Sequence, residues 1–164
     1  MRHLWSPWRM EYIQSHSSQT GCIFCQALAS PDDAASLLLH RAQHAFVILN
    51  RFPYTSGHLM VVPNLHVAAL EEVPLEALTQ VMALTQTALK ALRRVYDPQG
   101  FNLGANLGES AGAGVADHVH LHVVPRWPGD TNFMATLAQT RVLPESLEET
   151  YRRLGRAWQE ISSP

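Results

Sequence analysis

Short apolar runs bounded by turn formers fill the first third of the chain. Ser36-Leu37-Leu38-Leu39-His40 and Ala45-Phe46-Val47-Ile48-Leu49-Asn50 predict strands, and Arg41 to Gln43 lie between them at hairpin spacing. A turn at Tyr54-Thr55-Ser56-Gly57 leads into a third strand, His58-Leu59-Met60-Val61-Val62-Pro63. The period then changes. Over 74–96, Leu75, Leu78, Met82, Thr85, Leu89, Leu92 and Tyr96 recur at steps of three and four, Pro74 suits a first helical turn, and Asp97-Pro98-Gln99-Gly100 stops the helix. Strands follow at 101–107 and 118–127, and a last helix from Pro144 carries Leu147, Tyr151, Leu154, Trp158 and Ile161 on one stripe. With a short helix near Cys25 to Ala29, few crossovers and several hairpin-like joins, the order β-β-β-α-β-β-α predicts an α+β fold, an antiparallel sheet with helices packed against it.

The 164 residues are enough for one domain, expected over 21–164, preceded by an N-terminal arm over 1–20. In that arm Trp5, Trp8, Met10 and Tyr12 carry apolar surface without a clean period, suited to packing on the domain or reaching a second subunit. Charged residues make up 16% of the chain and the net charge is only -2, which gives no footprint for gripping nucleic acid. No apolar run approaches the roughly 20 residues that span a bilayer. The mixed start MRHLWSPWRMEYIQ does not read as a signal peptide, and two cysteines fit a reducing compartment, so a cytoplasmic location is expected.

The chemistry concentrates in ADHVHLHVVPRW, residues 116–127. In a strand, alternate residues share a face, so His118, His120 and His122 would point one way while Val119, Leu121 and Val123 fill the other. Such a triplet can be a polar edge, a metal site or a nucleophilic centre. A zinc hydrolase would want a carboxylate base as well, and Asp117, the one acid nearby, faces away by strand parity. A nucleophilic imidazole wants an orienting bond on its far nitrogen and donors around an anionic substrate. Upstream, Gly108, Gly112 and Gly114 allow a loop whose amides can converge on phosphate, although neither a P-loop nor a dinucleotide fingerprint is present.

On these residues the chain resembles the histidine triad (HIT) superfamily of nucleotidyl hydrolases and transferases. His118-Val119-His120-Leu121-His122-Val123-Val124 matches its signature throughout, and CysIlePheCys at 22–25, PheValIleLeuAsn at 46–50, GlyHis at 57–58, ValProAsnLeuHis at 62–66 and the glycine loop follow in the family order. The resemblance implies a HIT-like fold, a five-stranded antiparallel sheet with two main helices, usually paired as a homodimer. Association of two dimers into a tetramer is left open. It makes His120 the nucleophile toward an α-phosphorus, giving a nucleotidyl-histidine intermediate, with His122 steadying the phosphate oxygens. Asn50 stands at the ribose-binding position, and Asn106 lies in the phosphate loop with Gly112 and Gly114. Where many relatives carry Gln-Ser or Gln-Thr, this chain has Ala113-Gly114-Val115, so backbone amides of 112–115 would substitute for a side-chain donor.

LeuTrpSerProTrpArgMetGluTyrIle, AlaGlyAlaGly and ProArgTrpProGlyAspThrAsnPheMet are similar to a bacterial branch of diadenosine tetraphosphate phosphorylases. That similarity implies a dinucleoside polyphosphate substrate, cleaved by phosphate to ADP and ATP, with Arg126 and Asn132 able to border the polyphosphate. The alternatives are a HIT-type nucleoside phosphoramidate or dinucleotide hydrolase, a nucleotide-binding regulatory protein and, third, a metal-dependent hydrolase.

Cys22-Ile23-Phe24-Cys25 has the spacing of two thiolate zinc ligands, and a tetrahedron needs two more. In relatives with this motif the remaining pair matches His66 and His118, which implies a structural zinc and no catalytic metal. A reduced thiol pair is the plain alternative. If His118 ligates zinc it cannot act as a free base, and its backbone carbonyl is left to fix a neighbouring imidazole. His58 and His44 read as ordinary strand-end histidines.

Overall fold

The computed structural model describes residues 21–130 and 144–162. The aromatic arm and Asn132 lie outside the described residues. Helix α1 spans Ile23–Ala29, and strands β1 (Leu38–Arg41), β2 (Ala45–Leu49) and β3 (Leu59–Pro63) follow. Then come the long helix α2 (Leu75–Tyr96), strands β4 (Gly100–Gly104) and β5 (Leu121–Arg126), and helix α3 (Leu147–Ser162). The five strands form one antiparallel sheet in the order β1-β2-β3-β5-β4. The expected α+β architecture is the one observed.

Strands β2 and β3 are buried at every position, because each face of the sheet is covered. Their alternation sorts residues by face. Ala45, Val47, Leu49, Leu59 and Val61 join Val123 and the helix residues Leu92, Leu154 and Trp158 in the main core. Phe46, Ile48, Met60 and Val62 meet Phe24 of α1 on the opposite side. Over β2 and β3 the sheet is thus covered on both faces, and the alternating histidines lie at and just before the start of β5, beside β3.

Two elements differ from expectation. Helix α2 buries Ala77, Val81, Leu84, Thr85, Ala88, Ala91 and Leu92, whereas Leu75 is 79% and Met82 53% exposed. Reading the largest apolar residues as the contact face rotates the helix wrongly, since small side chains are what let it lie close on the sheet. Thr85 fits that face because its Oγ1 donates to the Val81 carbonyl at 2.7 Å. Strand β5 begins at Leu121 rather than His118, because upstream of it the Val119 amide donates to Val67, outside the sheet ladder.

The turn before β3 is tightly specified. Gly57 has φ +78, and a Cβ there would lie 2.8 Å from Leu92 Cδ2 and 2.9 Å from Tyr96 Cε2. A left-handed conformation costs an L-residue about 1–2 kcal/mol, and the clash adds to it. Gly57→Ala is expected to lower stability by about 2–4 kcal/mol in urea unfolding; a variant within experimental error of wild type would show that α2 yields at this contact.

Candidate active site

The three alternating histidines end in three different environments. His118 is fully buried, His120 nearly so, and His122 half-buried on β5 opposite Met60. The rings of His120 and His122 meet edge to face with centroids 4.8 Å apart, and Phe24 lies 4.8 Å from His120. Val119 packs with Val73 and Ala77, while Leu121 and Val123 join the main core, so the apolar half of the alternation fills the other side as expected.

His118 turns away from its neighbours toward α1. Its Nδ1 is 3.3 Å from Cys22 Sγ, 3.7 Å from Cys25 Sγ and 3.3 Å from His66 Nδ1, and Cys25 Sγ is 3.4 Å from His66 Nδ1. A tetrahedral zinc with bonds of roughly 2.3 Å to sulfur and roughly 2.0 Å to nitrogen would hold its donors about 3.3–3.8 Å apart. Four of the six donor pairs already have such separations, and all four donors lie within 4.8 Å of one another, close enough for a small contraction to close on an ion. His118 Nε2 donates to the Pro63 carbonyl at 2.9 Å, which leaves Nδ1 with its lone pair toward the cluster. Burial pushes the His118 imidazole below its ordinary pKa and the Cys22 thiol above its own. A neutral imidazole is ready to ligate, whereas the thiol needs a cation beside it to stay ionised.

The carrier of the cysteines is fixed at its other end by Arg41. Its guanidinium donates to the carbonyls of Leu28 at 2.5 Å and Ser30 at 2.8 Å, and pairs with Asp33 at 2.6 Å. These carbonyls are the orphan acceptors of a helix C-terminus, so α1 is clamped at both ends.

His120 Nδ1 donates to the His118 carbonyl at 2.8 Å. Its Nε2 is then the unprotonated nitrogen, and burial holds the imidazole below its ordinary pKa against the opposing effect of that hydrogen bond. The ring is thus neutral at pH 7, with an unprotonated nitrogen of the kind that can act as a nucleophile. A second chain of bonds orients His122. The Tyr54 amide donates to His58 Nδ1 at 3.1 Å, so a neutral His58 carries its proton on Nε2, 2.9 Å from His122 Nδ1. His122 in turn carries its own proton on Nε2.

His58 is therefore a site residue that the sequence reading passed over as an ordinary strand-end histidine. It is 1% exposed, and Tyr54 covers it with ring centroids 4.6 Å apart. The available signal was the Gly57-His58 pair, but only the β3–β5 register shows that it faces the triad. Asn50 joins the same group: its Oδ1 accepts from the Phe52 amide at 2.9 Å, and its Nδ2 lies 3.5 Å from His58 Nε2 and 3.7 Å from Met60 Sδ.

The glycine loop is more closed than expected. The amides of Ala111, Gly112 and Ala113 donate to the carbonyls of Gly108, Glu109 and Gly108, closing a 3-10 turn over Glu109–Ala111, and Asn106 Nδ2 latches the Gly112 carbonyl at 3.4 Å. Among the described residues, the amides of Gly114 and Val115 are the two of 112–115 left without such a bond. Gly112 acts as the left-handed hinge, φ +86, rather than as an anion donor. Arg126, considered for the polyphosphate, is held by Asp130 at 2.5 and 2.8 Å and by Asn102 at 2.5 Å, so it clips β5 to β4. The Asp117 carboxylate reaches within 3.7 Å of His66 Nε2.

Residues 33–129 match the family model described as HIT domain. The AP-4-A phosphorylase of Mycobacterium tuberculosis is 38% identical over 165 residues, covering 96% of this chain and 85% of that protein. Adenylylsulfatase HINT3 of Arabidopsis thaliana is 29% identical over 114 residues, 70% of this chain and 56% of its own length. Among solved structures, a Zn-bound histidine triad family protein from Mycobacterium smegmatis superposes with a TM-score of 0.67 at 30% identity, covering 88% of this chain and 96% of that one.

The bonding pattern fixes three tautomers. Long-range 1H–15N correlation at a pH where the rings are neutral is expected to find His120 protonated on Nδ1, and His58 and His122 on Nε2. A His122 protonated on Nδ1 would break the chain from Tyr54.

Proposed function

The chain belongs to the HIT family, and from that premise we propose that it cleaves dinucleoside polyphosphates, diadenosine tetraphosphate foremost, through a nucleotide carried on His120. The observation that carries this reading is the 2.8 Å bond from His120 Nδ1 to the His118 carbonyl, which leaves Nε2 as the attacking atom. The similarity to the Mycobacterium tuberculosis AP-4-A phosphorylase supports the substrate.

In the first step His120 Nε2 bonds to the α-phosphorus as the bond to the bridging oxygen breaks, and ATP leaves with that bond's electron pair. His122 Nε2–H donates to a phosphate oxygen and offsets charge that develops there. Asn50 meets the ribose, for which its Nδ2 protons are suited because Met60 sulfur is a weak acceptor. Gly114 and Val115 offer amides to the phosphate. Inorganic phosphate then attacks the phosphorus, the P–N bond breaks, and ADP is released with His120 restored.

The Cys22, Cys25, His66 and His118 cluster is proposed to hold a structural zinc, supported by its donor spacings and by the Zn-bound relative. Zinc there would fix the ring of His118 and, with it, the carbonyl that orients His120. The metal-hydrolase alternative gains no support from the triad itself, whose Nδ1 atoms point to the cysteine cluster, a carbonyl and His58. A homodimer is proposed as well. The edge of β4, unpaired among the described residues, and the exposed Leu103 and Leu107 give a second copy both a strand and an apolar surface to meet.

Incubation with diadenosine tetraphosphate should yield ADP plus ATP only when phosphate is present. AMP plus ATP without phosphate would instead make the chain a hydrolase, and AMP binding without turnover a regulatory protein. His120→Ala should lose turnover by about 10³-fold or more while still binding AMP; near-wild-type activity would rule out the covalent route. Zinc, measured on the purified chain, is expected at one ion per chain. Its removal by a chelator should lower the melting temperature and loosen α1, and a chelator that abolished activity without changing stability would point to a catalytic metal.

A further inference from the structure

We infer that Asp117 is the outer partner of His66, holding that imidazole in the tautomer whose Nδ1 faces the cysteine cluster. The inference rests on the reading of that cluster as a zinc site. Both histidines of the cluster present Nδ1 to it, so each needs its Nε2–H taken up elsewhere. For His118 the acceptor is the Pro63 carbonyl, buried and part of the backbone. For His66 the nearest counterpart is the Asp117 carboxylate, 3.7 Å from Nε2.

The placement is built in. The Val119 amide donates to the Val67 carbonyl at 2.8 Å, which holds the segment after His66 alongside the segment that carries Asp117 and His118. Asp117 thus approaches the far nitrogen of the ring and lies outside the four-donor group. A side-chain rotation closes 3.7 Å to hydrogen-bond length, and the N–H of a metal-bound imidazole is the stronger donor that favours such closure.

His66 is the most exposed member of the cluster. Its side chain is 45% exposed and that of Asp117 is 64%, whereas His118 is fully buried. Without an acceptor at Nε2, an exposed imidazole samples both neutral tautomers, and only one of them can ligate through Nδ1. The carboxylate removes the wrong tautomer and adds a negative charge that raises ligand basicity. In this role Asp117 is a positioning residue and touches neither substrate nor ion.

The test is zinc competition with a chromophoric chelator on the full chain. Wild type, Asp117→Ala and Asp117→Asn are compared with Glu71→Ala, which removes one exposed acid elsewhere. Asp117→Ala should weaken zinc binding 10- to 100-fold, Asp117→Asn less because its amide oxygen still accepts, and Glu71→Ala not at all. Imidazole 15N shifts of His66 should show mixed tautomers in metal-free Asp117→Ala only. Wild-type zinc affinity in both Asp117 variants would overturn the inference, and so would an equal loss in Glu71→Ala. A wild-type chain that binds no zinc would overturn the metal reading itself, a result separate from either.

Discussion

The side chain of His118 and its carbonyl face two different tasks. The ring closes a four-donor cluster through Nδ1 and is steered by Pro63 through Nε2, while the backbone oxygen sets the proton of His120. The Val119 amide shares a peptide plane with that carbonyl, so its bond to Val67 orients the oxygen while Pro63 and the cluster hold the ring. The clamped helix α1, the β3 terminus that offers Pro63 and the turn that brings Val119 to Val67 all act on that one residue. On the proposed reading, metal and catalysis, which the histidine triplet posed as alternatives, become adjacent duties on a single stretch of chain.

The second orienting chain is independent of the first. It starts at a backbone amide in the turn before β3, passes through His58 and ends at His122. Each reactive imidazole therefore has its tautomer set by the main chain, His120 at one remove and His122 at two. Main-chain groups cannot change rotamer, so both settings persist as long as the turn and the sheet do. Gly57 matters for the same reason: its left-handed conformation lets the turn pack under Leu92 and Tyr96 while His58 stays in line.

Much of this was legible in the sequence, and the failures have physical causes. Strands read well where apolar runs met turn residues, as at Ala45–Leu49 and Leu59–Pro63, because burial on both faces leaves few other conformations. The cysteine cluster was reached through a resemblance, since two thiols and two distant histidines carry no local period. His58 was missed because its significance lies in cross-strand register, which alternation along one strand does not encode. Parity could not show the approach of Asp117 to His66, because parity holds only inside a ladder and the ladder starts at Leu121. Helix α2 was found but its face was only partly right, since Thr85 and Leu92 are buried as expected while Ala77, Ala88 and Ala91, which a search for large apolar residues ranks last, share that face in place of Leu75 and Met82.

Asn50 carries a further consequence. Its oxygen is taken by the Phe52 amide and its nitrogen lies beside His58, so the group nearest the relay is uncharged. An aspartate of the same shape could accept the same amide proton, but it would set a full negative charge within a few ångströms of the hydrogen-bonded imidazoles of His58 and His122. Such a charge favours imidazolium, and a protonated His58 could no longer accept from Tyr54. The choice of amide over acid thus adds no charge of its own to the chain of donors, which suits a site proposed to receive an anionic substrate.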